Sequence, residues 1–126
     1  MRAVDTNVLV RLLAADDPAQ SGAAEEFIGK GAWVSHVVLA ETLWVLTASF
    51  GRTAQQIASC VERLIMQSEL TLQDAEVVAA ALVLFRNSPR VEFSDCLILE
   101  IARKAGHLPL GTFDRRLAKL DGAQCL

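Results

Sequence analysis

Short apolar runs alternate with helical periods along the whole chain, which predicts an α/β fold. The expected architecture is a three-layer α/β/α sandwich around a central, mostly parallel sheet. Three observations carry that expectation. Strand-like runs recur with short connections, helix-start residues follow them directly, and no linker, repeat or low-complexity tract interrupts the pattern. A length of 126 residues is that of one domain, 1–126, and a 52% hydrophobic composition excludes disorder.

Arg2-Ala3-Val4-Asp5 reads as a first strand, and any of Asp5, Thr6 and Asn7 can cap the helix expected over Val8–Ala14. Asp17-Pro18 pairs a capping residue with proline at the first helical position. The helix it opens is expected to turn Ala23, Ala24, Phe27 and Ile28 inward and to end at Gly29 or Gly31. Ala32–Ser35 forms a second strand, followed by a strongly apolar helix from about Val37 to Ser49 that Gly51 stops. Thr53-x-x-Gln56 is a capping box for a helix with Ile57, Val61, Leu64 and Ile65 inward. After a brief strand at Leu70–Leu72, Asp74 is expected to cap a helix with Val77, Val78, Ala81, Leu82 and Phe85 inward, closed by Asn87-Ser88-Pro89. Ser94 or Asp95 starts the next helix, running to Lys104 with Gly106 beyond it. Leu108–Thr112 is a strand, Arg115–Leu120 a short helix and Ala123–Leu126 a last edge strand.

Twelve Lys and Arg against fifteen Asp and Glu leave a net charge of −3, which excludes a basic nucleic-acid-coating protein. The longest runs without a charged side chain, Gly31–Ala40 and Thr42–Gly51, are too short for the ~20 residues that cross a bilayer. No secretory signal is apparent, so a cytoplasmic protein without membrane contact is expected. Three cysteines, Cys60, Cys96 and Cys125, lack C-x-x-C spacing and are expected to be buried thiols. His36 and His107 have no ligand spacing and read as ordinary surface or core residues.

The informative residues are acids. Glu41 shares a helix face with Val37, Val38, Trp44, Val45 and Ala48, an apolar stripe expected to be core, with no nearby Lys or Arg. A lone carboxylate there is costly unless it lies at the edge of the stripe and reaches water or a helix N-terminus. Asp95 repeats the pattern beside Ile98, Leu99 and Ala102, although a first-turn acid is also favoured by the helix dipole. Asp5 follows a strand and can equally be an N-cap, and Asp114 precedes Arg115-Arg116 and can cap or pair with them. In parallel sheets ligands bind beyond the carboxyl ends of the strands, where these acids are expected to converge. Three carboxylates ~5 Å apart at an effective dielectric of ~20 repel by roughly 3 kcal/mol per pair, so such a cluster needs protons or a divalent cation. All-oxygen donors suit Mg²⁺ or Mn²⁺ rather than Zn²⁺.

Val4-Asp5-Thr6-Asn7-Val8-Leu9, Ala40-Glu41, Phe93-Ser94-Asp95-Cys96-Leu97-Ile98 and Thr112-Phe113-Asp114 together resemble the PIN domain, most closely its VapC toxin branch, over nearly the whole chain. The resemblance implies a PIN-like fold and a Mg²⁺- or Mn²⁺-dependent endoribonuclease. Its catalytic and metal-binding acids would be Asp5, Glu41, Asp95 and Asp114, supported by Asn7 and Thr112. It also implies a homodimer, neutralisation by a VapB-like antitoxin, and a clip around those partners formed by the helical hairpin Thr53–Asn87. Cleavage would leave a 5′-phosphate and a 3′-hydroxyl. The chain departs from many relatives at Arg116, where a further Asp is frequent, at Leu117, where Phe is frequent, and at Ser94, where Ala is common. The first of these weighs against a second metal position.

RNA binding by an acidic chain is reasonable once the four site acids are set aside, because the remainder is slightly basic. Nine of the twelve cations are Arg, which suits phosphate contacts. Arg11, Arg115 and Arg116 are the foremost candidates, with Arg52, Arg86 and Arg90 behind them, and no aromatic-interleaved basic patch of the single-strand-binding type is visible. Haloacid-dehalogenase-like chemistry is disfavoured, since it needs an Asp where Asn7 stands. The alternatives retained are a PIN nuclease of RNA processing outside a toxin system and a catalytically weak RNA- or partner-binding PIN-like module.

Overall fold

Three short strands, β1 (Arg2–Ala3), β2 (Ala32–Val34) and β3 (Leu70–Leu72), run parallel in the order β1-β2-β3. Arg2 lies opposite Ala32, and Ala32 opposite Leu70. The computed structural model describes all residues, 1–126, and the chain divides into two compact units, Met1–Ala75 and Glu76–Leu126.

The first unit holds that sheet and four helices: α1 (Thr6–Ala14), α2 (Pro18–Ile28), α3 (His36–Phe50) and α4 (Ala54–Met66). Period-2 alternation sets the strand faces. Ala32 and Val34 are buried while Trp33 is exposed, and Leu70 and Leu72 are buried around exposed Thr71. Asp5, Asp17, Ser35 and Thr53 each accept a backbone N–H of the helix that follows, and Thr53 and Gln56 form the expected capping box. Gly51 ends α3 with φ 61, a left-handed conformation that glycine adopts without a Cβ penalty. Buried Thr42 satisfies its hydroxyl on Val38 O at 2.7 Å.

Several expected faces are corrected. In α3 the buried residues are Leu39, Thr42, Leu43 and Leu46. Of the stripe expected as core, Val37 is 69% and Trp44 60% exposed, and Glu41 is exposed with them. Apolar residues surround α3 on nearly every side, so their periodicity does not choose a face. In α2 Ala23 is exposed, and half-buried Phe27 lies under the Arg2 guanidinium, 3.8 Å from the ring centroid. In α4 Ala58 is buried and Ile65 is only half-buried. Asp74 has φ 41, unlike the extended backbone of the four capping residues.

The second unit holds α5 from its second residue (Ala75–Asn87), α6 (Phe93–Ala105), β4 (Leu110–Thr112), a single 3-10 turn (Leu117–Lys119) and β5 (Ala123–Cys125). The expected inward face of α5 is buried in full, and Phe85 meets Phe93 edge-to-face with centroids 5.8 Å apart. Helix α6 begins one residue before the expected Ser94 and is preceded by Glu92, which makes no side-chain cap. Strands β4 and β5 are parallel, with Thr112 opposite Cys125. The expected Arg115–Leu120 helix is reduced to the 3-10 turn. Arg103 joins α6 to the approach to β5, its Nη2 donating to Asp121 O at 2.7 Å and its Nε to Glu100. Lys104 pairs with Glu76. All three cysteines are free, and Cys125 is exposed rather than buried.

Candidate active site

In the first unit the acids follow the carboxyl ends of adjacent parallel strands. Asp5 comes two residues after β1 and caps α1, its Oδ1 accepting the Val8 N–H at 3.0 Å. Glu41 lies on α3, whose cap Ser35 directly follows β2. The Thr6 hydroxyl donates to Glu41 Oε2 at 3.0 Å, so the Glu41 carboxylate is held against the residue next to Asp5. Gln73, just after β3, accepts the His36 N–H at 2.8 Å and ties the third strand end to the start of α3. Asn7 is exposed in the first turn of α1. Arg11 is paired with Asp16 at 2.9 Å, which engages a guanidinium expected to meet RNA.

In the second unit half-buried Asp95 lies in the first turn of α6. Burial raises the pKa of its carboxyl, and the charges of Glu92 and Asp114 raise it further. Ile98, expected beside it in the core, is 49% exposed, whereas Leu99 is fully buried. Asp114 Oδ1 accepts the N–H groups of Arg116 at 2.8 Å and Leu117 at 3.2 Å, so Asp114 caps the 3-10 turn. The Thr112 hydroxyl accepts the Asp114 N–H at 2.9 Å, which fixes the start of that turn. Arg115 and Arg116 are exposed and form no ion pair with Asp114.

The structure therefore brings Glu41 to Thr6 beside Asp5 in one unit, and Asp95 within electrostatic reach of Asp114 in the other. In neither unit do three or more His, Cys, Asp or Glu side chains form a group that could hold a metal ion. Two contributors carry little signal in the sequence: Thr6, which reads only as a helix cap, and Glu92. The Glu92-x-x-Asp95 spacing, which places both acids on one helical face, was the available signal. The donor chemistry suits a hard cation. Every candidate ligand is a carboxylate oxygen, and Asp5 and Asp114 each use only Oδ1 in capping.

A family model for the PIN domain matches residues 2–123. The chain belongs to the PIN domain family. The six helices and parallel strands are those of a mixed α/β protein consistent with the PIN-like α/β/α fold. PIN domains are generally nucleases, typically dependent on divalent metals such as Mg²⁺, and PIN nucleases bind RNA. No curated protein and no solved structure matches the chain. No helix is long and apolar enough to cross a membrane.

Proposed function

We propose that this protein is a Mg²⁺- or Mn²⁺-dependent endoribonuclease and the toxin of a VapBC-type toxin–antitoxin module, acting as a single domain in the cytoplasm. The observation that carries the metal-dependent reading is Asp95: its carboxyl is half-buried, faces the charges of Glu92 and Asp114, and has no ion-pairing cation. A divalent cation offsets that repulsion.

Asp5, Glu41, Asp95 and Asp114 are the proposed ligands. The capping bonds of Asp5 and Asp114 leave each Oδ2 without a protein hydrogen bond, and Thr6 orients Glu41. Thr112 holds Asp114 through its backbone N–H, and Asn7 supplies an exposed amide in the first turn of α1. Held by these carboxylates, Mg²⁺ would supply a water of lowered pKa and would stabilise charge on the phosphoryl oxygens. Arg115 and Arg116, unpaired and exposed, hold the flanking phosphates. The apolar surface at Val37 and Trp44 supports the homodimer, and a VapB-like antitoxin is the expected second partner.

The test is cleavage of mixed RNA with Mg²⁺ or Mn²⁺ against EDTA, beside an identically purified Asp95→Asn control. Metal-dependent cleavage absent from the control supports the nuclease, and growth arrest on expression without an antitoxin supports the toxin. Arg116, in place of a further acid, favours a second reading in which the domain binds RNA but turns it over weakly. Tight RNA binding without cleavage would decide for it.

A further inference from the structure

Phe113 is 81% exposed, as exposed as the N-terminal methionine, and it stands between Thr112 and Asp114. Single exposed apolar residues are common on protein surfaces, so exposure alone means little. The backbone around this one is pinned. The Leu126 N–H donates to Thr112 O at 2.9 Å, and the Ala118 N–H to Asp114 O at 2.9 Å. Together with the Thr112 and Asp114 side-chain bonds already described, these fix the backbone on both sides of the exposed ring. Phe113 makes no aromatic or cation–π contact within the protein. The next exposed side chains after Asp114 are the unpaired guanidinium groups of Arg115 and Arg116.

We propose that Phe113 is a stacking platform for one unpaired nucleobase of the RNA, while Arg115 and Arg116 hold the phosphates on either side. The inference rests on the nuclease reading and names how that substrate is recognised. A phenyl face accepts any base, and stacking on an aromatic side chain together with cationic backbone contacts is how single strands are held without base-edge readout. A paired base in a duplex cannot reach the ring, so the platform selects single-stranded RNA.

The test uses the full chain carrying Asp95→Asn, so that bound RNA is not consumed, with Mg²⁺ present. Fluorescence anisotropy measures its affinity for a labelled 12-nucleotide single-stranded RNA and for the same sequence as a duplex. Adding Phe113→Ala is expected to weaken single-strand binding about five-fold or more, and Phe113→Trp to restore it. Duplex binding is expected to be unchanged by either. Replacing Arg115 and Arg116 with Gln is expected to weaken both RNAs and to flatten the salt dependence. Unchanged single-strand affinity in Phe113→Ala overturns the inference, as does full restoration by Phe113→Leu, which supplies apolar bulk without a ring. Cleavage by the otherwise wild-type chain separates the two readings. If it cleaves RNA and Phe113→Ala leaves KM unchanged, the platform falls and the nuclease stands; if it neither binds nor cleaves RNA, both fall.

Discussion

Thr6 Oγ1 lies 3.0 Å from Glu41 Oε2, so the first residue of α1 holds a carboxylate on α3 that no cation in the protein pairs. Thr6→Val keeps the β-branched shape and deletes the donor. It is expected to cost about 1 kcal/mol or less in stability, because the bond is exposed. It is expected to weaken Mg²⁺ affinity about 10-fold or more, as loss of a ligand's supporting hydrogen bond commonly does. Calorimetric Mg²⁺ titration beside thermal melting separates the two; unchanged affinity would show that the Thr6 bond does not support the proposed role of Glu41 as a ligand.

Asp5 caps α1 and is also a proposed metal ligand, and substitution separates the two. Asn is as good an N-cap as Asp, so Asp5→Asn is expected to hold the melting temperature nearly constant while abolishing metal-dependent cleavage. Asp5→Ala is expected to lose the cleavage and, in addition, about 0.5–2 kcal/mol from the lost cap. Equal stability of the two variants would show that the Val8 N–H bond contributes nothing.

Asp95 sets a pH dependence in the metal-free protein. Its folded pKa lies above the ordinary 3.8, because of burial first and of Glu92 and Asp114 next. The native state therefore binds this proton more tightly than the unfolded chain. That contribution to stability is complete below 3.8 and is lost as pH rises through the raised value. In EDTA at pH 7, Asp95→Asn is expected to be at least as stable as the wild type, with the difference shrinking in acid. Melting curves across pH that showed a large loss for Asp95→Asn at neutral pH would contradict an unrelieved carboxyl.

The thiols differ in reactivity. Burial, and then the charges of Asp95 and Glu100, push Cys96 up to about 12, whereas Cys125 is exposed. Iodoacetamide at pH 8 is expected to alkylate Cys125 first and to leave Cys96 intact until the protein unfolds. Half-buried Cys60, also raised by burial, is expected to be slow. Peptide mass mapping over time reads the order.

Gly122 has φ 94, and a Cβ there would come within 3.2 Å of the Arg103 guanidinium. Gly122→Ala is expected to destabilise by about 1 kcal/mol or more, from backbone strain and a disturbed Arg103–Asp121 bond. Chemical denaturation measures it.

Local signals were the most legible part of the chain. Asp17-Pro18, the Thr53–Gln56 box, Gly51 and the inward face of α5 all read correctly because each is settled within one or two turns. The face of α3 was not legible: with apolar residues all round, only packing decides that Leu39, Leu43 and Leu46 go in and Val37 and Trp44 stay out. The same rotation removes the argument that Glu41 is stranded in hydrocarbon and replaces it with a hydrogen bond from Thr6. Asp95 was legible as a first-turn acid of α6, but not its surroundings: Ile98 turns outward, and the charge of Asp114 reaches it from a segment beyond the helix. That Asp114 caps its own turn was one of two open readings, and backbone N–H groups at 2.8 and 3.2 Å decide it over the neighbouring arginines.

Trp33 on β2 and Trp44 on α3 are the only tryptophans, both belong to the first compact unit, and the chain has no tyrosine. Intrinsic emission is thus a built-in optical label for residues 1–75 alone, whereas far-ultraviolet dichroism sums the helices of both units. Following one denaturation by the two signals asks whether the halves melt as a single cooperative block: superimposed curves would say so, and an emission change that runs ahead or lags would reveal a chain that comes apart in two steps.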